Sequence, residues 1–138
     1  MFERLRGTRD FLPNEMAARK KVFSSIKKTI EEFGFFETDT PAIELFELYS
    51  IKSGEEIIEE LYAFEDKGGR MISLRPELTP SVVRVLVSRA KELSFPAKWY
   101  SIPRLWRYER PQSGRLREFY QLNIDIFGSE DPRADIEV

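Results

Sequence analysis

The stretch Arg104–Phe127, RLWRYERPQSGRLREFYQLNIDIF, consists of two strand-like segments joined by a loop, and it is rich in arginine. We predict strands at 104–109 and 118–127, paired antiparallel through the loop 110–117. The second segment alternates in polarity, which predicts two different faces. The apolar face comprises Tyr120, Leu122, Ile124 and Ile126, and the other face comprises Phe119, Gln121, Asn123 and Asp125. That other face is either a solvated surface or the wall of a polar pocket.

The same stretch concentrates positive charge in a chain that is otherwise net negative. Between 104 and 117 the only acid is Glu109, and the arginines are Arg104, Arg107, Arg110, Arg115 and Arg117. We expect Arg107 and Glu109 to share a strand face that continues across the hairpin to the polar face of the second strand. An arginine fork suits phosphate and Phe119 suits a purine, so a cleft here would take a phosphorylated aromatic ligand beside an amino-bearing one. A surface hairpin with scattered arginines is the alternative.

The composition restricts the chemistry. The 138 residues include 22 Lys and Arg, 24 Asp and Glu, and neither His nor Cys, for a net charge of -2. A net negative chain does not coat nucleic acid by bulk charge. Without Cys and His there is no disulfide, no zinc site of the usual kind, and no thiol or imidazole catalyst. The apolar runs are short, so we expect no membrane span and no signal peptide, and a cytoplasmic location.

The N-terminal half predicts helices and strands in succession. A helix begins at Pro13 and ends before Gly34, and a strand follows at 35–40. Residues 42–60 predict a weak helix with a break at Ser53-Gly54.

The following segments complete a predicted α+β fold, an antiparallel β-sheet flanked by helices. Segments 61–66 and 70–74 flank a glycine-bearing loop and predict a hairpin. Thr79 and Pro80 predict the N-cap and first residue of a helix whose apolar stripe reaches Leu93 and which Pro96 ends. A strand is predicted at 98–102, and a short helix begins near Asp131.

Several ordered motifs resemble those of class II aminoacyl-tRNA synthetases and, within that class, histidyl-tRNA synthetases. Residues 34–41 after the long helix resemble motif 1, and residues 105–109 with the loop and strand that follow resemble motif 2. The more specific segments are Arg6–Pro13 (RGTRDFLP), Leu74–Thr79 (LRPELT) and Arg107–Gln121 (RYERPQSGRLREFYQ). The resemblance extends from residue 6 to residue 138.

The resemblance implies roles for individual residues. Arg107 would be the catalytic residue, contacting the α-phosphate of ATP and the amino-acid carboxylate. The implied ATP-binding residues are Arg107, Glu109, Arg115 and Phe119. The implied histidine-binding residues are Glu77, Leu78, Thr79, Arg107, Gln121 and Asp125. Asp125 would face the imidazole, where many bacterial relatives carry Glu. Mg²⁺ is implied beside ATP, with no protein ligand assigned.

The implied reaction suits a chain without histidine. The carboxylate of the substrate histidine attacks the α-phosphorus of ATP, so the protein supplies positioning and charge stabilisation, not a nucleophile. Transfer of the histidyl group to tRNA(His) follows, again without a covalent enzyme intermediate.

The resemblance also implies that residues 1–138 form the N-terminal part of the catalytic domain, with motifs 1 and 2 present and motif 3 and the anticodon-binding domain absent. We therefore expect the isolated chain to be feebly active at most. Histidine, ATP and tRNA(His) are the implied partners, in a homodimer formed through the motif 1 helix and strand. The alternative is a synthetase-like regulatory subunit of ATP phosphoribosyltransferase in histidine biosynthesis, which does no aminoacylation.

Overall fold

The computed structural model describes residues 2–51 and 58–138, and the chain divides into two compact units. The first unit comprises Met1–Thr8, Asp39–Leu93 and Ile102–Gln121, and the second comprises Arg9–Thr38, Ser94–Ser101 and Leu122–Val138. Both units combine helices with antiparallel strand pairs, which confirms the predicted α+β class. The predicted break at Ser53-Gly54 lies outside the described residues.

In chain order the described elements are α1 (Pro13–Glu32), β1 (Phe36–Glu37), β2 (Ile43–Leu45), α2 (Phe46–Ser50), β3 (Ala63–Glu65), β4 (Met71–Leu74), α3 (Thr79–Ser88), β5 (Ala97–Ser101), β6 (Arg104–Trp106), β7 (Glu118–Tyr120), β8 (Asn123–Phe127) and α4 (Arg133–Glu137).

The predicted limits of α1 are confirmed. Pro13 is its first residue, where the missing N–H costs nothing. The backbone N–H of Leu12 donates to the Glu15 carboxylate at 2.8 Å, which satisfies a donor at the helix start. Gly34 follows the C-cap with φ +80°, a torsion that glycine adopts without strain, and the helix ends there.

In the second unit α1 packs on a three-stranded sheet with β5 in the middle. β5 is parallel to β1 and antiparallel to β8. The core consists of Ile30, Phe35 and Tyr100, with Ile26, Ile124 and Ile126 packed against it. Tyr100 is buried and its hydroxyl donates to Glu31 at 2.7 Å, and burial raises the pKa of Tyr100. The two isoleucines of β8 thus face the core, as the alternation predicts.

The first unit contains the antiparallel sheet β2-β4-β3, which confirms the predicted 61–74 hairpin. Residues 43–45 were predicted as helix, which is wrong, because they pair with β4 as β2 and leave a short helix, α2, after them. Tyr49 of α2 is buried, and its hydroxyl lies 3.0 Å from that of Ser81 in α3. Burial raises the pKa of Tyr49 to about 12. These two helices are therefore joined by a buried polar contact.

The predicted limits of α3 are wrong at both ends. The N-cap is Leu78, so Thr79 is the first helical residue and Pro80 the second, and no side chain caps the N-terminus. Leu78 is 1% exposed. Its burial places the helix start one residue earlier than the Thr-Pro pair predicts. The helix ends at Ser88, well before Pro96.

The predicted single strand 118–127 is also wrong. β7 pairs with β6 in the first unit, whereas β8 pairs with β5 in the second. The N–H of Gln121 donates to the Pro103 carbonyl at 3.3 Å, and Leu122, predicted to face the core, is 41% exposed. Alternation fixes which way side chains point but not which strand is the neighbour, so the sequence pattern continues across a change of sheet.

Candidate active site

The segment 107–117 forms a hairpin whose base is closed by backbone hydrogen bonds. β6 and β7 pair antiparallel, and the N–H of Arg107 donates to the Arg117 carbonyl at 3.0 Å. At the tip, Gln112 and Arg115 exchange two N–H to carbonyl bonds of 3.2 and 3.0 Å. Gly114 between them has φ +77°, which a tight hairpin turn requires. The strand prediction for 104–109 is wrong after Trp106, where the loop begins.

The Arg107 side chain is anchored through its Nε. Its Nε donates to the Pro76 carbonyl at 3.0 Å, and its guanidinium carbon lies 5.5 Å from the centroid of the Phe119 ring. The side chain is half-buried. Because Nε is anchored to the backbone, the plane of the guanidinium is fixed, and no described residue accepts a hydrogen bond from its Nη groups.

Glu109 is a buried acid beside an exposed base. Its side chain is 7% exposed, and Arg115 Nε lies 3.0 Å from its Oε2. This ion pair lacks hydrogen-bond geometry, and within the described residues Oε2 accepts no hydrogen bond. The Arg115 charge thus compensates a carboxylate that is otherwise buried.

These groups surround one cleft of about 330 Å³ in the first unit. Its lining comprises Arg107, Glu109, Gly114, Arg115, Leu116, Phe119 and Tyr120. The predicted juxtaposition of Arg107, Glu109 and Phe119 is therefore present, although a loop brings it about instead of a continued strand face.

Two of the five clustered arginines bind the hairpin itself. Arg104 contacts the Glu118 carboxylate at 2.9 Å and donates to the Tyr120 hydroxyl at 2.6 Å. Arg117 donates to the Glu109 carbonyl at 2.9 Å and stacks at 4.0 Å on the Tyr108 ring. These two guanidiniums thus stabilise the hairpin, and fewer arginines are available to a ligand than the sequence indicates.

The segment Glu77-Leu78-Thr79 lies where β4 leads into α3. Glu77 and Thr79 line a separate groove of about 790 Å³, together with apolar side chains of α2 and α3. Leu78 between them is buried in the core, with 1% of the residue exposed. The segment connects to the cleft through Pro76, whose carbonyl holds Arg107. Sequence reasoning missed this role of Pro76, because a backbone acceptor leaves no signal in residue type.

The last two predicted histidine-binding residues fall in different units. Gln121 is exposed at the end of the first unit. Asp125 is on β8 in the second unit, opposite Trp99 in register, and burial raises the pKa of its carboxyl. The continuous face predicted from Phe119 to Asp125 is wrong, because the strand changes sheet between them.

The described residues lack a membrane-spanning helix and a cluster of metal ligands. Residues 2–51 and 58–138 contain no helix that is long and apolar enough to cross a membrane. The same part of the chain contains no cluster of three or more carboxylates placed to hold a metal ion.

Comparison with known proteins gives the same family throughout. A family model described as histidyl-tRNA synthetase matches residues 7–138. The chain is 57% identical to the histidine–tRNA ligase of Natronomonas pharaonis and 50% identical to that of Pyrococcus horikoshii, covering all of this chain and 32% of each relative. It thus spans about a third of the length of the curated relatives that it matches.

Solved structures agree. The apo histidyl-tRNA synthetase of S. aureus has a TM-score of 0.83 at 29% identity, over 99% of this chain and 32% of that one. A Bacillus halodurans structure, described as an ATP phosphoribosyltransferase regulatory subunit/histidyl-tRNA synthetase, has a TM-score of 0.87 at 27% identity, over 100% of this chain and 35% of that one. With the family model matching nearly the whole chain, the protein belongs to the histidyl-tRNA synthetase family.

Proposed function

We propose that this chain supplies the motif 1 and motif 2 part of a class II catalytic domain that activates histidine with ATP and transfers it to tRNA(His). The observation that carries the proposal is the cleft of Arg107, Glu109, Arg115 and Phe119 in a chain of this family. The names of relatives 50 to 57% identical, all histidine–tRNA ligase, support it.

The cleft suits a nucleotide. A guanidinium anchored at Nε presents both Nη groups to an anion, which allows two parallel charge-assisted hydrogen bonds to the α-phosphate. Phe119 offers an aromatic ring on which adenine can stack. Because Arg107 lies 5.5 Å from the centroid of that ring, one nucleotide could contact both residues, with its base at Phe119 and its phosphate at Arg107. Arg115 and its ion-pair partner Glu109 would contact the remaining polar groups of ATP.

Arg107 would act on the reacting atoms directly. As the histidine carboxylate attacks the α-phosphorus, negative charge builds on the phosphoryl oxygens, and a fixed guanidinium stabilises that charge without reorganising. For histidine itself we propose Glu77, Thr79 and Gln121 at the α-amino group and Asp125 at the imidazole, with the buried Leu78 holding Glu77 and Thr79 in place.

We propose from family membership that Mg²⁺ binds together with ATP. The described residues contain no group of three carboxylates placed to hold a metal ion, and the proposal includes no protein ligand for Mg²⁺. When bound with ATP it would neutralise charge on the triphosphate.

We further propose a cytoplasmic homodimer formed through the α1 and β1 region. Phe33 and Phe36 are 60% and 72% exposed there, which supports an apolar contact. The alternative, a regulatory subunit of ATP phosphoribosyltransferase, has no better support, although one structural neighbour carries both names.

The proposal is tested by titrating the chain with ATP in a calorimeter and by assaying histidine-dependent exchange of pyrophosphate into ATP. We expect saturable ATP binding and little or no exchange, because this chain would supply only part of the domain. Absence of ATP binding would contradict the nucleotide site. Exchange at the rate of an intact synthetase would contradict the assignment of the chain as part of a catalytic domain. Stimulation of ATP phosphoribosyltransferase would favour the alternative.

Replacing Asp125 with asparagine should stabilise the fold while weakening histidine binding. Burial raises the pKa of Asp125 above its ordinary value of 3.8, so ionisation of this carboxyl destabilises the folded state. The destabilisation is absent at low pH, where the carboxyl is protonated, and it increases as the pH rises above 3.8. Urea unfolding should therefore give equal stabilities in acid and a more stable variant near neutrality. Histidine affinity should fall about tenfold, because the asparagine oxygen accepts a weaker hydrogen bond than the charged carboxylate does. A variant less stable near neutrality would refute the pKa argument.

A further inference from the structure

The N-terminal arm Leu5–Thr8 lies against the base of the 107–117 loop. The Gly7 carbonyl accepts the N–H of Arg117 at 2.7 Å. The arm is itself a closed turn, because the Leu5 carbonyl accepts both the N–H of Thr8 at 3.2 Å and its hydroxyl at 2.7 Å. A turn fixed in this way sets the direction of the Gly7 carbonyl.

Position 7 excludes any side chain for two independent reasons. Its φ of +87° strains every residue except glycine. A Cβ there would also lie 2.9 Å from Arg117 Cγ and 3.0 Å from Pro111 Cγ. A side chain at position 7 would therefore collide with Arg117 and Pro111, one on each side of the loop, and would push the loop away.

Arg117 links the N-terminal arm to the cleft through hydrogen bonds. Its carbonyl accepts the N–H of Arg107, and its Nε donates to the carbonyl of Glu109 at 2.9 Å. Its guanidinium also covers Tyr108, the residue between them, at 4.0 Å. Displacement of Arg117 would thus move the backbone on both sides of the two cleft residues.

We propose that Gly7, held by the Thr8 turn, is a positioning residue for nucleotide binding: it seats Arg117, and Arg117 orients Arg107 and Glu109 toward ATP. This inference rests on the proposed function. Gly7 itself touches no substrate.

The test compares Gly7→Ala with Gly34→Ala. Gly34 has a similar φ of +80° but has nothing within 4 Å of its would-be Cβ, so it matches the torsional strain without the steric contact. We expect Gly7→Ala to weaken ATP binding by about tenfold, as a misplaced binding group does, and Gly34→Ala to leave it unchanged. Equal ATP affinities in the two folded variants would overturn the proposal. Absence of ATP binding by the unaltered chain would instead overturn the proposed function.

A double substitution separates positioning from general destabilisation. Glu109→Gln alters one of the two cleft residues that Gly7 is proposed to orient. If Gly7 acts through these residues, Gly7→Ala should weaken ATP binding less in the Glu109→Gln background than in the unaltered chain, whereas independent effects would multiply. Should Gly7→Ala fail to fold, Thr8→Val decides the question. Loss of its hydroxyl loosens the turn and should weaken ATP binding several-fold, while unchanged affinity in that folded variant would overturn the proposal.

Discussion

Replacement of Arg107 with alanine is expected to lower ATP affinity by about 100-fold or more, because two hydrogen bonds to a charged group are lost together. The Pro76 carbonyl also loses its donor, so the fold should lose about 1 kcal/mol of unfolding free energy. Calorimetric titration with ATP and urea unfolding would measure the two effects separately. Arg107→Lys should recover little, since an ammonium cannot span the phosphate while anchored at Pro76.

The matched control is Arg104→Ala, which removes the same charge from the same hairpin. The Arg104 guanidinium is bound to Glu118 and Tyr120, so its loss should change ATP affinity by no more than about twofold at moderate salt. Equal losses in both variants would mean that the cleft attracts ATP only through its overall positive charge.

The largest effect on stability is expected from Arg75→Met. Arg75 is 5% exposed, its Nε donates to the Arg104 carbonyl at 3.1 Å, and its Nη1 contacts the Thr40 carbonyl and, at 2.7 Å, the Asp39 carboxylate. Methionine fills the volume but donates nothing, so buried carbonyls are left unsatisfied. We expect a loss of about 3 kcal/mol in the free energy of unfolding, measured with urea.

Arg89→Met serves as the control for charge removal. Arg89 pairs with Glu92 on the surface at 3.1 Å, with both side chains about two-thirds exposed, and its loss should cost about 0.5 kcal/mol or less. A similar small loss for Arg75→Met would mean that water replaces the guanidinium at the two carbonyls.

Elements with local signals were predictable from the sequence. The limits of α1 follow from Pro13 and Gly34, and the 61–74 hairpin follows from its glycine-bearing loop, because each signal acts within a few residues. β2 was not predictable, since its strand conformation depends on pairing with β4, which lies distant in sequence.

The residue types of the candidate site were predictable, but the contacts that hold its side chains were not. The arginine-rich loop indicated where phosphate would bind, yet the sequence does not distinguish Arg107 from Arg104 or Arg117, which differ only in what their guanidiniums contact. Asp125 was predicted on one continuous face with Phe119 because period-two alternation runs unbroken through a change of sheet.

The change of sheet at Gln121-Leu122 gives β7 and β8 separate partners. One residue added within β7 would shift its register on β6, one added within β8 would shift its register on β5, and either shift turns side chains of that strand to the opposite face. The Ser113-Gly114 tip, by contrast, lies beyond the last pairing of its hairpin, so extra residues there would leave both sheets in register. Insertions at the tip would thus spare both registers but alter the cleft, because Gly114 and Arg115 line it.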